Sequence, residues 1–485
     1  MLSVKIRRHS KFFMIFSFII SWLDAFSLNK NILLHITKYT LLSRRKPLTF
    51  FYDYVTIQHQ EKGETMKVTV MSAMMGSGKT TRLIQEMKDM PPEARILYIA
   101  PLLSECHRIA GTHPEDDESQ KPATSYCEED GSVEYAYNDL SWSLIPKRFR
   151  HPTLNKGGSK MDTLLTLVEG GCNIVSTHAL FRNLNKKVVE CIQTQGYTLI
   201  LDEVLSVYEE FEDLRNEELH RLLEDKILTI DSDGMTLRWN RGVFDAKDTR
   251  YEDIADLCDV GQLSMIDGKV VVWEFPVEAL RAFKEVRIAT YLFEGSPMCS
   301  YLKTHGFDVE IEKFGNHPRD VAHLIDIVVD RKLNAPGDAL HALSQNDLTK
   351  KKTNNDSLRK CLNTFFKSKY KTKAEQRLWT TYKGVARELS AGNFAQSWLH
   401  CGAKATNDWA NTSHVAYLVN IHLRPVLVKF MAARGQEINQ DVYAVSEMVQ
   451  FLWRSRIRRG ESIVVYVPSS RMRSLLIGWL NGEFD

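Results

Sequence analysis

The stretch that decides the fold begins just after Met66 and reads Lys67-Val68-Thr69-Val70-Met71-Ser72-Ala73-Met74-Met75-Gly76-Ser77-Gly78-Lys79-Thr80-Thr81. Its first residues form a short β-prone run, which is typical of a strand. Apolar residues then recur at helical spacing at Leu83, Ile84 and Met87. The intervening loop matches the pattern G-x-x-x-x-G-K-[ST], with Ala73 in the place of the first glycine. We therefore predict a strand, a phosphate-binding loop and a helix in direct succession.

Each residue type in this loop has a chemical role in gripping phosphates. Glycine leaves room for backbone N–H groups to approach phosphate oxygens, and a helix N-terminus adds positive potential. The lysine reaches the β- and γ-phosphates, and the following hydroxyl coordinates Mg²⁺. The predicted cofactors are therefore ATP and Mg²⁺. The predicted nucleotide-binding residues here are Gly76, Ser77, Gly78, Lys79, Thr80 and Thr81, with Thr80 as a metal ligand.

An acidic pair at the end of a second apolar strand complements this loop. The run from Tyr197 to Leu201 is followed by Asp202 and Glu203. In a parallel sheet the carboxyl ends of the strands gather at one edge, next to the phosphate loop. Asp202 is therefore predicted to hold Mg²⁺, and Glu203 to activate the attacking water. The alternative, taken alone, is an acidic helix start.

Two more strand-and-loop units lie between these motifs. One is residues 95–101, which end in Ala100-Pro101, and the other is residues 173–180, which contain Ser176-Thr177-His178-Ala179. The stretch 111–158 is polar and uneven, and we interpret it as an insertion. For each strand-and-loop unit, an ordinary α/β connection remains the alternative to a functional role.

The overall composition limits the classes of protein that remain. The chain has 485 residues, 44% apolar and 26% charged residues and a net charge of +2, as expected for a globular protein of two to four domains. Any nucleic-acid surface must therefore come from local clustering of charge. The eight cysteines show no C-x-x-C pair and no zinc pattern with histidine, which predicts reduced thiols in the cytoplasm and no zinc site.

The first 65 residues differ from the rest of the chain. Arg7 and Arg8 precede an apolar run over residues 12–26, which resembles a signal-peptide core or a short membrane anchor. Codons for residues 61–65 can be written GAA-AAA-GGA-GAA-ACA, which contains AAGGAG just before the codon of Met66. We hypothesise that translation starts at Met66; a membrane anchor is the alternative.

The order of these motifs resembles the first lobe of superfamily 2 helicases. Gly76–Thr80, Ile99–Pro101, Ser176–Ala179 and Leu201–Glu203 follow one another as that family's motifs do. The residues within these motifs are similar to those of the viral branch of the superfamily, which includes herpesvirus replication-origin-binding helicases and related bacteriophage helicases. The resemblance implies that Thr177 and His178 contact nucleic acid, and that Ala289-Thr290 is the coupling motif between hydrolysis and movement.

The resemblance is weaker in the second half. Residues 404–408 precede a predicted strand at 415–419 and are similar to a motif that touches nucleic acid, which implies contacts by Thr406 and Asn407. Residues 449–459 are similar to the motif Q-x-x-G-R-x-x-R, but Trp453 replaces its glycine. This implies that Gln450 contacts the nucleotide, and that Arg454 and Arg456 are catalytic. Which of Arg456, Arg458 and Arg459 is the arginine finger stays open from the pattern alone, and a solvated or nucleic-acid-contacting face is the alternative.

A basic segment offers a further nucleic-acid contact. Residues 350–373 contain nine Lys or Arg and one acid, Asp356, with Phe365, Phe366 and Tyr370 interleaved. Cations there can neutralise phosphates and aromatic rings can stack on bases, so Lys367 and Lys369 are predicted contacts. A flexible surface insertion is the alternative.

We therefore predict an α/β fold of two RecA-like lobes with mostly parallel sheets and an atypical N-terminal extension. The predicted domains are 1–65, 66–305 with an insertion at 111–158, and 320–485 with a basic insertion at 347–378, joined near residues 315–318. The predicted function is a viral or phage DNA-replication helicase that hydrolyses ATP. It would act on nucleic acid, with DNA favoured over RNA, possible replication partners and a cytoplasmic location. A phage DNA-packaging ATPase and a membrane-tethered nucleic-acid-binding protein are the alternatives.

Overall fold

The computed structural model describes residues 66–110, 125–126, 133–134, 149–154, 158–350, 352–390, 393–403 and 408–484. Residues 1–65 lie outside the described part of the chain, as does most of the predicted insertion at 111–158. The translation start at Met66 and the anchor at residues 12–26 therefore stay predictions. No helix in the described part is long and apolar enough to cross a membrane.

The strands that build the main sheets are named here in chain order. They are β1 (Lys67–Ser72), β2 (Ile96–Ala100), β3 (Phe149–Arg150), β4 (Asn173–Thr177), β5 (Thr198–Asp202), β6 (Tyr208–Glu210), β7 (Leu228–Ile230), β8 (Leu237–Trp239), β9 (Leu263–Ile266), β10 (Val270–Glu274), β11 (Glu285–Thr290), β12 (Asp308–Lys313), β13 (Ile325–Ile327), β14 (Arg377–Thr380), β15 (His414–Tyr417) and β16 (Ile463–Tyr466).

The α-helices are likewise named in chain order. They are α1 (Lys79–Asp89), α2 (Leu103–Ala110), α3 (Lys160–Glu169), α4 (His178–Arg182), α5 (Lys186–Gln195), α6 (Asn216–Glu224), α7 (Glu252–Asp259), α8 (Val277–Arg281), α9 (Pro297–Thr304), α10 (Pro318–Val321), α11 (Arg331–Asn334), α12 (Gln345–Lys350), α13 (Lys352–Asn363), α14 (Lys383–Ser390), α15 (Pro425–Ala433), α16 (Gln440–Leu452) and α17 (Ser470–Leu480). A π-helical turn, Thr364–Lys369, continues α13, and a 3₁₀ turn, Arg456–Arg459, precedes β16.

The first lobe is built on a sheet in the order β12-β1-β11-β5-β2-β4-β3, and every neighbouring pair is parallel. Its central strands are buried almost throughout; β2, for example, is buried at all of its positions. Continuous apolar strands are expected when helices cover both faces of a parallel sheet. The topology brings the ends of β1, β11 and β5 to one edge.

The second lobe is built on a smaller parallel sheet in the order β13-β16-β15-β14. A parallel bridge between Trp379 and Trp398 extends it beyond β14. Helices alternate with the strands along the chain, as a parallel sheet requires. The predicted fold class, two RecA-like α/β lobes with mostly parallel sheets, is confirmed. The predicted domain limits stay a prediction, although the first sheet takes its last strand from Asp308–Lys313.

A second insertion, absent from our prediction, separates β5 from β11. It contains the antiparallel hairpin β7–β8 and an antiparallel sheet in the order β9-β10-β6. The turn between β9 and β10 uses Asp267 and Gly268, whose φ angles are 53° and 70°. An Asp-Gly pair between apolar runs is a strong hairpin signal, so this part could have been found from the sequence.

Helix α15 comes from the second half of the chain but packs on the first. Leu427, Phe430 and Met431 join the hydrophobic core formed by the first lobe and the β6–β10 insertion. The Phe430 ring meets Tyr208 edge-on, with the ring centroids 5.1 Å apart. Just after the helix, Arg434 forms an ion pair of 2.5 Å with the buried carboxylate of Glu274. This helix therefore anchors the second half of the chain to the first.

Candidate nucleotide-binding site

The predicted phosphate loop follows β1 and ends at the first residue of α1. Gly76 and Gly78 both have a φ of 81°, a left-handed conformation that favours glycine. A Cβ at either position would meet no atom within 4 Å, so the backbone angle rather than crowding calls for glycine. The free N–H groups at the start of α1 are the kind that bind anions.

The Lys79 side chain lies within this loop. Its ammonium group donates hydrogen bonds to the carbonyl oxygens of Ala73, at 2.7 Å, and Met74, at 3.3 Å. Burial lowers the pKa of Lys79, while the carboxylates of Glu203 and Asp202 raise it. The cation is therefore close enough to both carboxylates for a direct electrostatic interaction, which brings the two predicted halves of the site together.

The acidic pair occupies the end of β5, two strands away from β1 in the sheet. Burial raises the pKa of Asp202 to about 6, and the neighbouring Glu203 contributes to the rise. Glu203 has a φ of 73°, which is uncommon for a residue other than glycine, and its N–H donates to the carbonyl of Ala289 at 2.9 Å. The acidic pair is therefore joined through its backbone to β11, the strand between β1 and β5.

Tyr98 is a site residue that the sequence analysis missed. It lies in the middle of β2, is fully buried, and donates a hydrogen bond of 2.9 Å from its phenol to Oδ2 of Asp202. Burial raises the pKa of Tyr98 well above its usual value, so the phenol keeps its proton. A tyrosine within an apolar strand reads as a core residue, and only the neighbouring position of β5 in the sheet shows its partner.

The first-lobe residues assigned to nucleic acid lie beside the same edge. Thr177 caps α4, because its hydroxyl accepts a hydrogen bond of 3.3 Å from the N–H of Leu180. A ring nitrogen of His178 lies 3.2 Å from the carbonyl oxygen of Asp202. At the end of β11, where the resemblance implied a coupling motif, the Thr290 hydroxyl donates to a carboxylate oxygen of Glu203 at 3.4 Å. The residues at the ends of β4 and β11 therefore include His178 and Thr290, which contact the acidic pair directly.

Helix α16 of the second lobe packs against the segment that follows β11. The Ser446 hydroxyl donates to the carbonyl of Tyr291 at 3.2 Å, and Gln450 donates to Ser446 at 3.1 Å. The packing at Gly295 is so close that a Cβ there would lie 2.6 Å from Val442. Gln450 therefore reaches the first lobe through Ser446.

The arginines that follow α16 differ in what they face. Arg454 is largely buried and interacts electrostatically with Glu203; burial lowers its pKa. Arg458 lies close enough to Lys79 and to Arg454 to lower the pKa of each. In contrast, Arg456 donates to the carbonyl of Ser462 at 2.6 Å, and Arg459 donates to Asn411 at 2.8 Å. The charges of Arg454 and Arg458 therefore act on groups of the candidate nucleotide site.

Four further residues were predicted to contact nucleic acid, and the structure describes two of them. Thr406 and Asn407 lie outside the described residues, although Arg454 donates to the neighbouring carbonyl of Ala403 at 3.2 Å. Lys367 and Lys369 are exposed, and Lys369 forms an ion pair of 2.9 Å with Asp330.

The aromatic residues of the basic segment have a structural role instead. Phe365 and Phe366 are fully buried in the core of the second lobe, beside Trp379 and Tyr466. The expectation that these two rings stack on bases is therefore wrong. Because α13 and its π-helical turn build this core, the described part of the segment is not a surface insertion either.

The donors at this edge fit a magnesium–nucleotide complex. The Thr80 hydroxyl and the carboxylates of Asp202 and Glu203 are oxygen donors, which Mg²⁺ prefers. Burial and the adjacent Glu203 raise the pKa of Asp202 although Lys79 is near, so its ionised form carries a cost that a bound metal ion would offset.

The acidic edge makes a prediction about stability. Because folding raises the pKa of Asp202 from 3.8 to about 6, its ionised form destabilises the fold above pH 6, and this cost disappears as both states become protonated at low pH. In metal-free buffer, Asp202→Asn should raise the free energy of unfolding at pH 7.5 by about 1–3 kcal/mol. Urea unfolding at pH 7.5 and at pH 4 measures this difference, which should shrink at the lower pH. Asp213→Asn, at an exposed acid, is the control; equal or lower stability of Asp202→Asn at pH 7.5 would contradict the prediction.

Two family models match parts of this chain. A family model described as the YonV middle domain matches residues 209–273, and one described as the YonV C-terminal Rossmann-like domain matches residues 319–480. The chain is similar to the SPbeta prophage-derived uncharacterized protein YonV of Bacillus subtilis (strain 168). The two are 29% identical over 441 residues, which covers 86% of this chain and 99% of YonV. The middle-domain match coincides with the inserted strands β6–β10.

Two solved structures are also similar to the chain. An XPD helicase aligns over 86% of this chain and 94% of its own, with 13% identity and a TM-score of 0.44. The DUF1998 helicase MrfA aligns over 93% of this chain and 53% of its own, with 11% identity and a TM-score of 0.27.

Proposed function

We propose that this protein is an ATP-hydrolysing motor that moves along or unwinds nucleic acid, and that it serves phage DNA replication. One observation carries the proposal. The loop around Lys79, the acidic pair at Asp202 and the arginines at 454 and 458 come from three distant parts of the chain and interact at one edge. Such a cluster of opposite charges at the end of a parallel sheet is typical of a nucleotide-hydrolysing site. That the relative YonV is prophage-derived supports the phage context.

In this proposal the residues of the first lobe bind the nucleotide. The N–H groups of Gly76, Ser77, Gly78, Thr80 and Thr81 would hold the phosphates, and Lys79 would turn from the carbonyls of Ala73 and Met74 toward the β- and γ-phosphates. Thr80 and Asp202 would hold Mg²⁺, which neutralises charge on the phosphates when bound. Glu203 would orient and deprotonate the attacking water.

The second lobe would complete the site. A guanidinium group supplied from another lobe stabilises charge on the transferring phosphoryl group, so hydrolysis depends on lobe closure. Arg454 is attracted to Glu203, and the positive charge of Arg458 is near enough to lower the pKa of Lys79; this proximity supports both for this role. Arg456 was proposed from the sequence; its hydrogen bond to Ser462 within its own lobe favours Arg458 instead.

Coupling to nucleic acid would pass through the same contacts. Thr290 contacts Glu203, and the Gln450–Ser446–Tyr291 chain joins the two lobes. We propose Thr177, His178, Thr406 and Asn407 as backbone contacts, with Lys367 and Lys369 as electrostatic contacts. Closure of the two lobes can move a nucleic-acid strand only if the open and closed arrangements differ in their affinity for nucleic acid.

The direct test is the rate of ATP hydrolysis with and without nucleic acid. We expect Mg²⁺-dependent hydrolysis that rises at least about tenfold with single-stranded DNA, together with unwinding of tailed duplexes in the presence of ATP. Tailed DNA and RNA duplexes compared side by side identify the substrate. No hydrolysis under either condition would refute the proposal. A plasmid-nicking assay on the same preparation separates this motor from a DNA-packaging ATPase that carries a nuclease.

A further inference from the structure

The chain leaves the first lobe directly across the phosphate loop. Strand β12 is the edge strand beside β1, with Lys313 paired to Ser72. The next residues continue along the loop: the N–H of Asn316 lies 3.5 Å from the Ser77 hydroxyl oxygen. Gly315, with a φ of +87°, approaches so closely that a Cβ there would lie 2.5 Å from the Ser77 Cβ. This segment therefore forms one wall beside the predicted phosphate site.

An arginine and a phenylalanine form a stacked pair at this wall. Arg82 lies one helical turn after Lys79 on α1, and its guanidinium carbon is 4.7 Å from the centroid of the Phe314 ring. Two carboxylates orient the guanidinium: Glu86 accepts a hydrogen bond of 3.0 Å from its Nε, and Glu312 forms an ion pair with it. Phe314 is half-buried against the core cluster that includes Leu83. The pair is thus held in place but not enclosed.

The direction of a bound nucleotide follows from the sheet order. The acidic pair lies on the β11–β5 side of β1, whereas β12 lies on the opposite side. A triphosphate whose γ-phosphate faces Asp202 and Glu203 therefore extends its nucleoside end toward β12. The pair formed by Arg82 and Phe314 lies on this side of β1, because Arg82 pairs with Glu312 of β12. Nucleobases stack on guanidinium planes and on aromatic rings.

We propose that Arg82 and Phe314 form the seat of the nucleobase; this rests on the proposed function, because it presumes a nucleotide on the loop. The base stacks on the outer face of the Arg82 guanidinium, which Phe314 supports from beneath. Stacking recognises the face of a base rather than its edge, so the seat accepts purines without strong discrimination. ATP and GTP are therefore expected to bind with affinities within about threefold of each other.

The test compares a nucleotide with its phosphates alone. Isothermal titration measures the affinity of the full-length protein for the non-hydrolysable analogue AMP-PNP and for inorganic tripolyphosphate. Phe314→Leu keeps an apolar side chain but removes the ring, and Arg82→Lys keeps the charge but removes the plane. We expect each variant to lose about 5- to 50-fold in affinity for AMP-PNP, and less than about twofold for tripolyphosphate. Lys88→Gln on the same helix is the matched control.

The outcomes separate this inference from the proposed function. If the unmodified protein binds both ligands and neither variant changes its affinity for AMP-PNP, the seat is refuted while the phosphate site stands. Equal losses for both ligands also refute the seat, because Phe314 and Arg82 then support the loop and not the base. If the unmodified protein binds neither ligand, the proposed function itself fails. In hydrolysis assays the variants should raise KM and leave kcat near its original value.

Discussion

Replacing Lys79 with alanine is expected to lower the rate of ATP hydrolysis by a factor on the order of 10³ and to abolish unwinding. The ammonium group is the cation that the phosphate loop contributes, and it interacts with both carboxylates of the acidic pair. No other described lysine takes part in the hydrogen bonds of the loop carbonyls. The measurement is steady-state phosphate release with and without single-stranded DNA.

The fold should survive this change. Burial opposes the charged form of Lys79, so its removal relieves a cost while it loses two hydrogen bonds to carbonyl oxygens. Lys88→Ala, on the same helix and away from the loop, is the control and should keep full activity. Turnover in Lys79→Ala close to that of the unmodified protein would refute the assignment of the phosphate site.

Replacing Arg458 with alanine is expected to lower kcat by about 10³-fold and to change nucleotide affinity little. The reason is that a guanidinium from the second lobe stabilises charge that develops during transfer, not charge already present in the bound nucleotide. Single-turnover hydrolysis and equilibrium binding of a fluorescent ATP analogue measure the two quantities separately.

The neighbouring arginines are built-in controls for this experiment. Arg459 donates to Asn411 and Arg456 to the carbonyl of Ser462, so Arg459→Ala and Arg456→Ala should both keep kcat within about threefold. Arg454→Ala should lose activity as Arg458→Ala does, because it faces Glu203. A loss confined to Arg456→Ala would restore the alternative that the sequence left open.

The inserted strands β6–β10 carry a local signal that predicts part of their structure. The Asp267-Gly268 turn between two apolar runs predicts a hairpin from local chemistry alone. The basic segment at residues 350–373, in contrast, carries a local pattern that fits two structures. Its interleaved phenylalanines and lysines suit a nucleic-acid surface and equally suit an amphipathic helix, and only the burial of Phe365 and Phe366 decides between them.

The sequence by itself determined the local elements of this protein. The phosphate loop, the strand that ends at Asp202 and the alternation of strands with helices all depend on neighbouring residues: glycine permits left-handed backbone, and apolar periodicity selects strand or helix. Because parallel strands align their ends, a phosphate loop after one strand and an acidic pair after another were expected at the same edge of a sheet.

Only the tertiary structure decided which distant residues join that edge. The contact of Tyr98 with Asp202 and the passage of Gly315 over Ser77 each link residues that lie over 100 positions apart, and the position of Arg458 near Lys79 joins the two halves of the chain. Short-range pattern carries no information about such pairs. They depend on strand order and on the packing of one lobe against the other, which are properties of the whole folded chain.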